Sequence, residues 1–293
     1  MSAAQAIRST LPAALVSVDW ARDHLNDPKV RFLEVDVDTA AYETGHFPSA
    51  VGLNWTTQLT DSVRRDLASR EDLEALLRSA GIDDDTLIVL YGDNNNWFAA
   101  WAYWQLRYHG IDNVRLLDGG RKKVEAAGLP QTTDAPRHAP GSISLPDATR
   151  EELRAYRDRV LESIGAPGHG LVDVRSPEEF RGELAAPAHL PQEAAQRKGH
   201  IPGAVNVPWS KAVADDGTFR PIAELRDLYA SAGVTPDQQV VAYCRIGERS
   251  SHTWFVLHEL LDYPDVRNYD GSWTEYGSLV GVPIEIGAGS ARS

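Results

Sequence analysis

Cysteine is almost absent from this chain of 293 residues, in which Cys244 is the only thiol. A single cysteine excludes an intramolecular disulfide and any zinc or redox site that is built from a CxxC pair. A protein that depends on one free thiol is expected in a reducing compartment, so the sequence predicts a cytoplasmic protein. Residues 11–18 are mostly apolar, but no basic cluster precedes them, and we expect no signal peptide there.

Positive charge and long apolar runs are also scarce. The 29 lysines and arginines are outnumbered by 42 aspartates and glutamates, and the formal net charge of −13 disfavours nucleic acid and membranes as partners. No apolar run approaches the roughly 18 residues that a membrane span needs. The rest of the composition, 42% hydrophobic and 24% charged, is typical of a globular protein, and the length indicates about two domains.

The two halves of the chain resemble each other. Residues 80–91 match residues 232–243, and an Asp-Gly pair follows each of them in the same register. A Gly-His-x-Pro run also occurs in both halves, around His46 and His200. Because the first of these runs lies in a half without cysteine, we expect the histidine to be structural.

Short apolar runs alternate with helical patterns in each half. This alternation predicts an α/β fold with two tandem domains, each a mostly parallel sheet covered by helices on both faces. We assign residues 1–130 to the first domain, the proline-rich residues 131–146 to a linker, and residues 147–293 to the second domain. In the second half the predicted strands are 170–174, 203–207, 239–243 and 266–269, and the predicted helices are 151–164, 222–232 and 251–261.

Cys244 stands where a predicted buried strand ends and a helical pattern begins. Ligands of such sheets bind beyond the carboxyl ends of the strands. Backbone N–H groups at the start of the helix and the guanidinium groups of Arg245 and Arg249 should favour the thiolate, so we predict a reactive cysteine rather than an inert buried thiol. The other members of the predicted active-site loop are Ile246, Gly247, Glu248 and Ser250.

The length of this loop restricts its chemistry. Successive N–H groups after Cys244 can form a cradle for an anion, with Gly247 allowing the backbone to turn and Arg249 closing the cradle. Cysteine phosphatases have one residue more between the cysteine and the arginine. A smaller cradle, with Glu248 inside it, is better suited to one sulfur atom than to a phosphoryl group, and we disfavour a phosphatase. Whether Glu248 only pairs with a neighbouring arginine stays open.

Two further strand ends are predicted to support the loop. Asp270 and Ser272 follow the last strand, where Asp270 could orient Arg245 or simply occupy a turn. Asp173 and Arg175 follow another strand, and we expect them to form a structural ion pair.

Ser250 and Ser251 are expected to cap the helix that follows the loop. We assign no general base, because a preformed thiolate needs none, and we assign no metal.

The first half of the chain lacks this chemistry. Gly92 stands at the position of the cysteine, and Asp93 and Trp97 replace the two arginines. Since both the nucleophile and the cations are missing, we predict that the first domain is catalytically inactive.

These residues together resemble the tandem rhodanese family, the thiosulfate sulfurtransferases, and in particular their actinobacterial type. The resemblance covers nearly the whole chain and implies two rhodanese domains, of which the second is catalytic. It also implies a cysteine persulfide on Cys244 and a substrate contact at Arg249. The runs that carry the resemblance are 173–176, 199–204, 244–250 and 269–273 in the second half, and 94–98 and 118–122 in the first.

A member of this family needs no cofactor. It takes sulfur from a small anionic donor and passes it to cyanide or a thiol, and a sulfur-acceptor protein is a further candidate partner. Two guanidinium groups favour thiosulfate, a compact dianion, over 3-mercaptopyruvate. The alternatives are a 3-mercaptopyruvate sulfurtransferase and a sulfur-carrier or regulatory module.

The sequence departs from animal-type members at two positions. Ile246 replaces a lysine in the loop, and Glu179 stands where those members have a substrate-binding arginine. Residues 181–198 add a stretch that is rich in Ala, Pro and Gln, and we predict that it forms a long loop.

Overall fold

The structure is a computed structural model that describes residues 11–186 and 195–289. The chain divides into two compact units, of which the first comprises residues 1–149 and 214–219 and the second comprises residues 150–213 and 220–293. Part of the loop predicted over 181–198, residues 187–194, lies outside the described residues. In the part of the chain that is described, no helix has the length and apolar character that crossing a bilayer requires.

The first unit contains a five-stranded sheet in which all neighbouring strands are parallel. The seven strands described in the first unit are β1 (Leu15–Val16), β2 (Val30–Glu34), β3 (Val51–Gly52), β4 (Thr60–Asp61), β5 (Asp66–Leu67), β6 (Leu87–Tyr91) and β7 (Val114–Leu117). The sheet order is β1-β7-β6-β2-β3, and β4 pairs with β5 in a separate antiparallel ribbon. The central strand β6 is a continuous apolar run because it has a neighbour on each edge and is buried on both faces.

The helices of the first unit flank this sheet. They are α1 (Val18–Asp23), α2 (Ala41–Thr44), α3 (Trp55–Gln58), α4 (Arg70–Ser79), α5 (Asp93–Tyr108) and α6 (Gly120–Ala126). Three of them begin at a side chain that accepts a backbone N–H bond: Ser17 caps α1, Asn54 caps α3 and Ser69 caps α4.

The second unit repeats this architecture. Its strands are β8 (Arg154–Ala155), β9 (His169–Asp173), β10 (Val205–Asn206), β11 (Gln239–Tyr243) and β12 (Val266–Tyr269), in the order β10-β9-β11-β12-β8, with all neighbours parallel. The predicted α/β fold with two mostly parallel sheets is therefore confirmed. The helices are α7 (Arg157–Ser163), α8 (Pro177–Phe180), α9 (Ile222–Ser231), α10 (Glu248–Trp254) and α11 (Ser272–Tyr276), with 3-10 turns at Glu151–Leu153 and Trp209–Ala212 and a π-helical segment at Phe255–Leu260.

The helix predicted over 151–164 is wrong in its first half. Arg154 and Ala155 form strand β8 instead, which pairs with the end of β12 at the edge of the sheet. The backbone hydrogen bonds that this edge offers outweigh the local preference for a helix. Helix α7 therefore begins only at Arg157.

Residues 131–146, which the sequence predicts to be a linker, run along the first unit. Thr132 exchanges two backbone hydrogen bonds with His46, and both N···O distances are 2.9 Å. The side chains of Ile143 and Leu145 are buried. These residues belong to the first unit, whose boundary follows Thr149.

A short segment of the second half also packs within the first unit. The backbone N–H of Phe219 donates to the carboxylate of Asp118 at 2.9 Å, and Lys123 forms an ion pair with Asp216. The division between the units is therefore crossed more than once along the chain.

The sequence repeat is visible as a repeated hydrogen bond at the end of each central strand. The hydroxyl group of Tyr91 accepts the backbone N–H of Phe47 at 3.2 Å. In the second unit, the hydroxyl group of Tyr243 accepts the backbone N–H of Ile201 at 3.1 Å. Each bond ties a central strand to a loop of its own unit.

The two repeated histidines have equivalent surroundings. His46 lies 2.9 Å from the carbonyl oxygen of Tyr42 through Nδ1 and stacks on that ring at 3.7 Å. His200 lies 2.8 Å from the carbonyl oxygen of Phe180 and stacks on that ring at 3.6 Å. Both are buried, as the prediction of a structural role requires.

Candidate active site

Cys244 directly follows the central strand of the second sheet, so it lies at the carboxyl edge of that sheet. The neighbouring strands β9 and β12 end at Asp173 and Tyr269 on the same edge, because all three strands are parallel. Residues from three strand ends therefore converge around one buried thiol, and Cys244 is fully buried.

The start of the loop is attached to the turn that follows β12. The backbone N–H of Cys244 donates to the Ser272 hydroxyl oxygen at 3.0 Å, and the Cys244 carbonyl accepts the N–H of Trp273 at 3.1 Å. The carbonyl of Arg245 accepts both the N–H and the hydroxyl group of Thr274, each at 2.9 Å. Four hydrogen bonds thus fix the position of the first two loop residues.

Asn268 holds the far end of the loop. Its amide nitrogen donates to the Gly247 carbonyl at 3.0 Å and to the Ser251 hydroxyl at 2.9 Å, and its amide oxygen accepts the Ser250 hydroxyl at 2.6 Å. Asn268 is fully buried in β12, so these bonds do not compete with water.

Ser250 and Ser251 do not cap the helix as the sequence predicted. The helix begins at Glu248, three residues before the predicted start. The Ser251 hydroxyl donates backwards to the Gly247 carbonyl at 2.8 Å, and the Ser250 hydroxyl oxygen, which donates to Asn268, lies 2.9 Å from the same carbonyl oxygen. Serine side chains inside a helix often make such bonds to the preceding turn.

Gly247 is required by the geometry of the loop. Its φ of +104° lies in a region that favours glycine, and a Cβ atom there would come within 2.8 Å of the Asp270 carbonyl oxygen. Turning the chain at this point directs the Gly247 N–H towards the Cys244 sulfur, at an N···Sγ distance of 3.1 Å.

Other groups surround the same sulfur atom. A carboxylate oxygen of Glu248 lies 3.8 Å from Sγ, and the Ser272 hydroxyl oxygen lies 3.9 Å from it. Hydrogen bonds from the N–H and the side chain of Ser250 act to lower the pKa of the thiol. The sulfur thus has backbone N–H groups beside it, and it also has a carboxyl group in contact.

The sequence predicts a favoured thiolate at Cys244, but the structure places the pKa of this thiol above its ordinary value. Burial is the largest cause, and the nearby charge of Glu248 adds to it. Arg249 and the Ser250 hydrogen bonds lower the pKa but do not outweigh these two effects.

Glu248 has an equally unusual environment. Burial raises the pKa of its carboxyl group to about 7, and the charge of Asp270 acts in the same direction. Arg249, the Glu248 backbone N–H and Arg245 lower the pKa without cancelling the effect of burial. Near neutral pH this carboxyl group can therefore either hold or release a proton.

Arg249 forms a buried ion pair with Glu179, the residue at which the sequence departs from animal-type members. The two guanidinium nitrogens lie 2.8 and 3.0 Å from the two carboxylate oxygens. Burial acts to raise the pKa of Glu179, but the hydrogen bonds and charge of Arg249 outweigh it and hold this pKa below its ordinary value. Glu179 also accepts the Ser176 N–H, at 3.0 Å, in a capping box that fixes helix α8.

Arg245 and Ile246 form the outer part of the loop. Arg245 is 5% exposed, and burial together with the charge of Arg249 lowers the pKa of its guanidinium group. Ile246 is half-buried, whereas the other loop residues from Cys244 to Ser250 are buried. An apolar side chain therefore stands at the most exposed point of the loop.

The supporting residues are arranged as follows. The Asp270 carboxylate accepts a hydrogen bond from Arg154 at 2.9 Å, which links the loop to the edge strand β8. The ion pair predicted between Asp173 and Arg175 is present, with an N···O distance of 2.6 Å. The Arg175 guanidinium group also stacks over the Trp273 ring at 4.6 Å.

The equivalent loop of the first unit is filled by its own side chains. The N–H of Gly92 donates to the amide oxygen of Asn96 at 3.0 Å, and Asp93 accepts the N–H groups of Val37 and Asp38 at 2.6 and 3.1 Å. A Cβ atom on Gly92 would come within 2.1 Å of a backbone carbonyl oxygen. No side chain, and therefore no thiol, fits at this position without displacing the backbone.

Comparison with known proteins agrees with the repeat. A model of the rhodanese-like domain matches residues 17–127 and again residues 156–279. The chain belongs to the rhodanese-like domain family. Its two units each contain one such domain, and the loop at Cys244 lies in the second.

Rhodanese relatives of high similarity are found among curated proteins. A protein of Saccharopolyspora erythraea named "Putative thiosulfate sulfurtransferase" is 58% identical over 273 residues, which is 92% of this chain and 95% of that protein. The sulfur carrier protein TtuD of Thermus thermophilus is 54% identical over 279 residues, which is 94% of this chain and 98% of that protein.

Solved structures share the rhodanese architecture over 94% of the chain. The anaerobic ergothioneine biosynthesis enzyme of Chlorobium limicola, in complex with trimethyl histidine, has a TM-score of 0.80 and 26% identity, and 70% of that chain is covered. EanB, in a complex with ergothioneine covalently linked with a cysteine persulfide, has a TM-score of 0.78 and 26% identity, also with 70% of that chain covered.

Sequence reasoning missed one residue that shapes this rhodanese site, Asn268, and one contact, that of Glu179 with Arg249. Asn268 carried a signal, because an asparagine in a short buried strand must find polar partners and the nearest candidates follow the same sheet edge. The contact between Glu179 and Arg249 carried none, since 70 residues separate the partners.

Proposed function

We propose that this rhodanese is a thiosulfate sulfurtransferase that carries sulfur as a persulfide on Cys244. The observation that carries the proposal is the position of the Cys244 sulfur, 3.1 Å from the backbone nitrogen of Gly247 in a loop that β12 and the turn after it hold in place. Backbone N–H groups that are fixed before the reaction stabilise a sulfur anion without reorganising. The names of the curated relatives and the cysteine persulfide of EanB support the same chemistry.

The reaction proceeds by double displacement. The Cys244 sulfur attacks the outer sulfur of thiosulfate, a new S–S bond forms, and the old S–S bond breaks with its electron pair on the departing sulfite. The outer sulfur of the persulfide is then attacked by cyanide or a thiol, and its bond to Sγ breaks with the electron pair on Sγ. The transfer is split into two steps, so the two small anions never react directly with each other.

Arg249 and Arg245 supply the positive charge that the donor requires. Two terminal nitrogens of Arg249 donate to Glu179, which accounts for two of the five N–H donors that a guanidinium group carries. Glu179 therefore orients the guanidinium plane and reduces its net attraction for thiosulfate. Because Ile246 brings no charge to the exposed point of the loop, binding of thiosulfate should depend on these two arginines.

Two observations bear on the alternative functions, one in favour and one against. The relative named as a sulfur carrier favours transfer from Cys244 to an acceptor protein as the second step. The carboxyl group of Glu248, 3.8 Å from Sγ, disfavours a phosphatase, because a phosphate in the loop would lie against it. A 3-mercaptopyruvate donor, with one carboxylate, would use the two arginines less fully than thiosulfate does.

The decisive experiment is the intact mass of the protein after incubation with thiosulfate. We expect the mass to increase by one sulfur atom and to return to its initial value after cyanide is added, with thiocyanate released. Cys244→Ser should show neither change and should retain its fold. Sulfur transfer at the wild-type rate by Cys244→Ser would refute the persulfide.

Parallel assays with 3-mercaptopyruvate and an aryl phosphate test the alternatives. A persulfide that forms but turns over only with a protein acceptor would indicate the carrier role.

A further inference from the structure

Glu248 is a buried carboxyl group in contact with the proposed nucleophile. Its Oε2 atom lies 3.8 Å from Cys244 Sγ, within the range of a hydrogen bond to sulfur. Glu248 is 2% exposed and Cys244 is fully buried, so water does not separate the two charges. A thiolate and a carboxylate in such contact repel each other strongly, and the pair is most stable with one proton between them.

The surrounding charges do not remove this repulsion. Arg249 faces the pair from α10, but its charge is shared with Glu179 of α8. Asp270, from the turn after β12, adds negative charge beside Glu248, while Arg245 adds positive charge from the loop itself. The negative charges of Glu179 and Asp270 offset much of the positive charge that the two arginines supply. One proton therefore stays with the Cys244–Glu248 pair.

We infer that Glu248 is the general base of the sulfur-accepting step, taking the Cys244 proton as the sulfur attacks the donor. The inference rests on the proposed function. The S–H bond breaks and its proton moves to Oε2, the Sγ–S bond forms, and the S–S bond of the donor breaks with its electron pair on the leaving group. When an acceptor later removes the outer sulfur, the electron pair returns to Sγ and Glu248 returns the proton. No oxidant or reductant is consumed.

This role suits the environment of the carboxyl group. A general base is most effective when its pKa lies close to the working pH, and burial places the pKa of Glu248 at about 7. The arrangement replaces the permanently ionised thiolate that the sequence alone predicts. The persulfide, once formed, carries its own negative charge next to a carboxyl group that has just been neutralised.

The single cysteine permits a direct test of the pair. Alkylation by iodoacetamide, measured from about pH 5 to pH 10, reports the thiolate of Cys244 alone. We expect two steps in the wild type, since the pair loses its two protons separately. Glu248→Gln should show one step, because only the thiol can then titrate. Superimposable curves for the two proteins would overturn the inference.

The half-reactions separate a general base from a structural role. Burial still keeps the thiol of Glu248→Gln protonated near neutrality, so its persulfide formation from thiosulfate should be about 10- to 100-fold slower at pH 7. The deficit should shrink as the pH rises and the thiol ionises by itself. Transfer from the preformed persulfide to cyanide should slow less than persulfide formation does, because that step needs no base and the Sγ thiolate that it releases can take its proton afterwards from another source.

The control is Glu224→Gln, which removes an exposed carboxyl group in α9 and should change neither half-reaction. A Glu248→Gln variant with the wild-type rate and pH profile of persulfide formation would overturn the inference.

If that variant does not fold, Glu248→Asp, whose side chain is one methylene shorter, replaces it. Glu248→Asp should slow persulfide formation several-fold, and an unchanged rate would overturn the inference. If the wild type gains no sulfur at all, the proposed function fails, and the alkylation curves alone decide whether the proton is shared.

Discussion

Arg249, in the loop that begins at Cys244, forms a doubly hydrogen-bonded ion pair with Glu179, with N···O distances of 2.8 and 3.0 Å, and both side chains are buried. A buried pair of this kind has two consequences. Removing one partner leaves an uncompensated charge in the core, and it also changes the electrostatic field at the sulfur. Variants of the pair can therefore separate folding from donor binding.

Arg249→Ala should reduce both the stability of the fold and the activity with thiosulfate. We expect a loss of about 3–5 kcal/mol in the free energy of unfolding, because the Glu179 carboxylate stays buried without its partner. We also expect a loss of about 1.5–3 kcal/mol in transition-state stabilisation, a factor of roughly 10 to 150 in kcat/KM for thiosulfate. Arg249→Lys should recover only part of this, because a point charge cannot replace the planar fork. Denaturant unfolding and steady-state kinetics measure the two effects.

Glu179→Gln should strengthen the binding of thiosulfate, which Arg249→Ala weakens. It keeps an amide oxygen near Arg249 but removes the negative charge, so the KM for thiosulfate should fall while the protein becomes less stable. A matched control is Arg267→Ala, which breaks the partly exposed pair with Asp265 and should cost only about 0–1 kcal/mol of stability. An unchanged thiosulfate KM in both Glu179→Gln and Arg249→Ala would refute Arg249 as a donor contact.

The fold and the position of Cys244 at a strand end could be predicted from the sequence because both depend on local patterns. The apolar run of β11 and the helix beyond it place Cys244 at a strand end, and parallel pairing brings Asp173 and Asp270 to the same edge. Gly247 could be predicted as well, because a tight turn towards a sulfur atom requires a residue without a Cβ atom.

The charge state of the site could not be predicted in this way. Counting Arg245 and Arg249 along the loop suggests a positive environment, but Glu179 reaches Arg249 from 70 residues away in the chain. Whether Glu248 turns towards the sulfur or towards solvent depends on the turn at Gly247 and on burial by other elements. Such contacts are set by tertiary packing, on which the local pattern carries no information.

Asn268→Ala should slow sulfur transfer indirectly, through the position of the loop that holds the Cys244 sulfur. The change removes the donor to the Gly247 carbonyl and the acceptor of the Ser250 hydroxyl, so the loop loses its attachment to β12. We expect a stability loss of about 1–3 kcal/mol from the unsatisfied buried groups, together with a lower kcat for persulfide formation. Asn206→Ala is the control, since Asn206 also donates to two backbone carbonyls at a strand end, those of Asp173 and Arg175. It should lose similar stability but keep most of its kcat, and equal losses of kcat would argue against a positioning role for Asn268.

Gly92→Cys should not give the first unit a second active site. A Cβ atom would lie 2.1 Å from the Val35 carbonyl oxygen, so the backbone must move, and overpacking of this kind costs about 1–3 kcal/mol or more. Gly170→Cys, whose Cβ would lie nearest to the end of the flexible Gln238 side chain at 3.0 Å, should be tolerated better. We expect no sulfur transfer from Gly92→Cys in a Cys244→Ser background. Thiocyanate formation by that double variant would show that the first-unit loop is competent.

Local stability of the first unit should depend on pH through Asp36. Burial raises the pKa of Asp36 to about 8, and the charges of Glu34 and Asp93 add to the effect, while a hydrogen bond from the Asp93 N–H and the charge of Arg121 oppose it. The folded unit thus holds a proton that the unfolded chain releases above about pH 4. Stability from this group is complete at low pH and is lost as the pH rises towards 8.

Asp36→Asn should remove this dependence, because the amide is neutral at every pH and its oxygen can still accept the Asp93 N–H, which Asp36 accepts at 2.7 Å. Hydrogen exchange of the peptides that contain β2 and β6, followed by mass spectrometry at about pH 6 and pH 8.5, measures the effect. After correction for intrinsic exchange rates, the wild type should lose about 1–3 kcal/mol of local opening free energy between the two conditions, and Asp36→Asn should lose much less. Asp85→Asn, at an exposed position, should behave like the wild type. A wild type whose protection rises with pH would contradict the assignment, because a carboxyl group that is buried in its neutral form can only lose stability as it ionises.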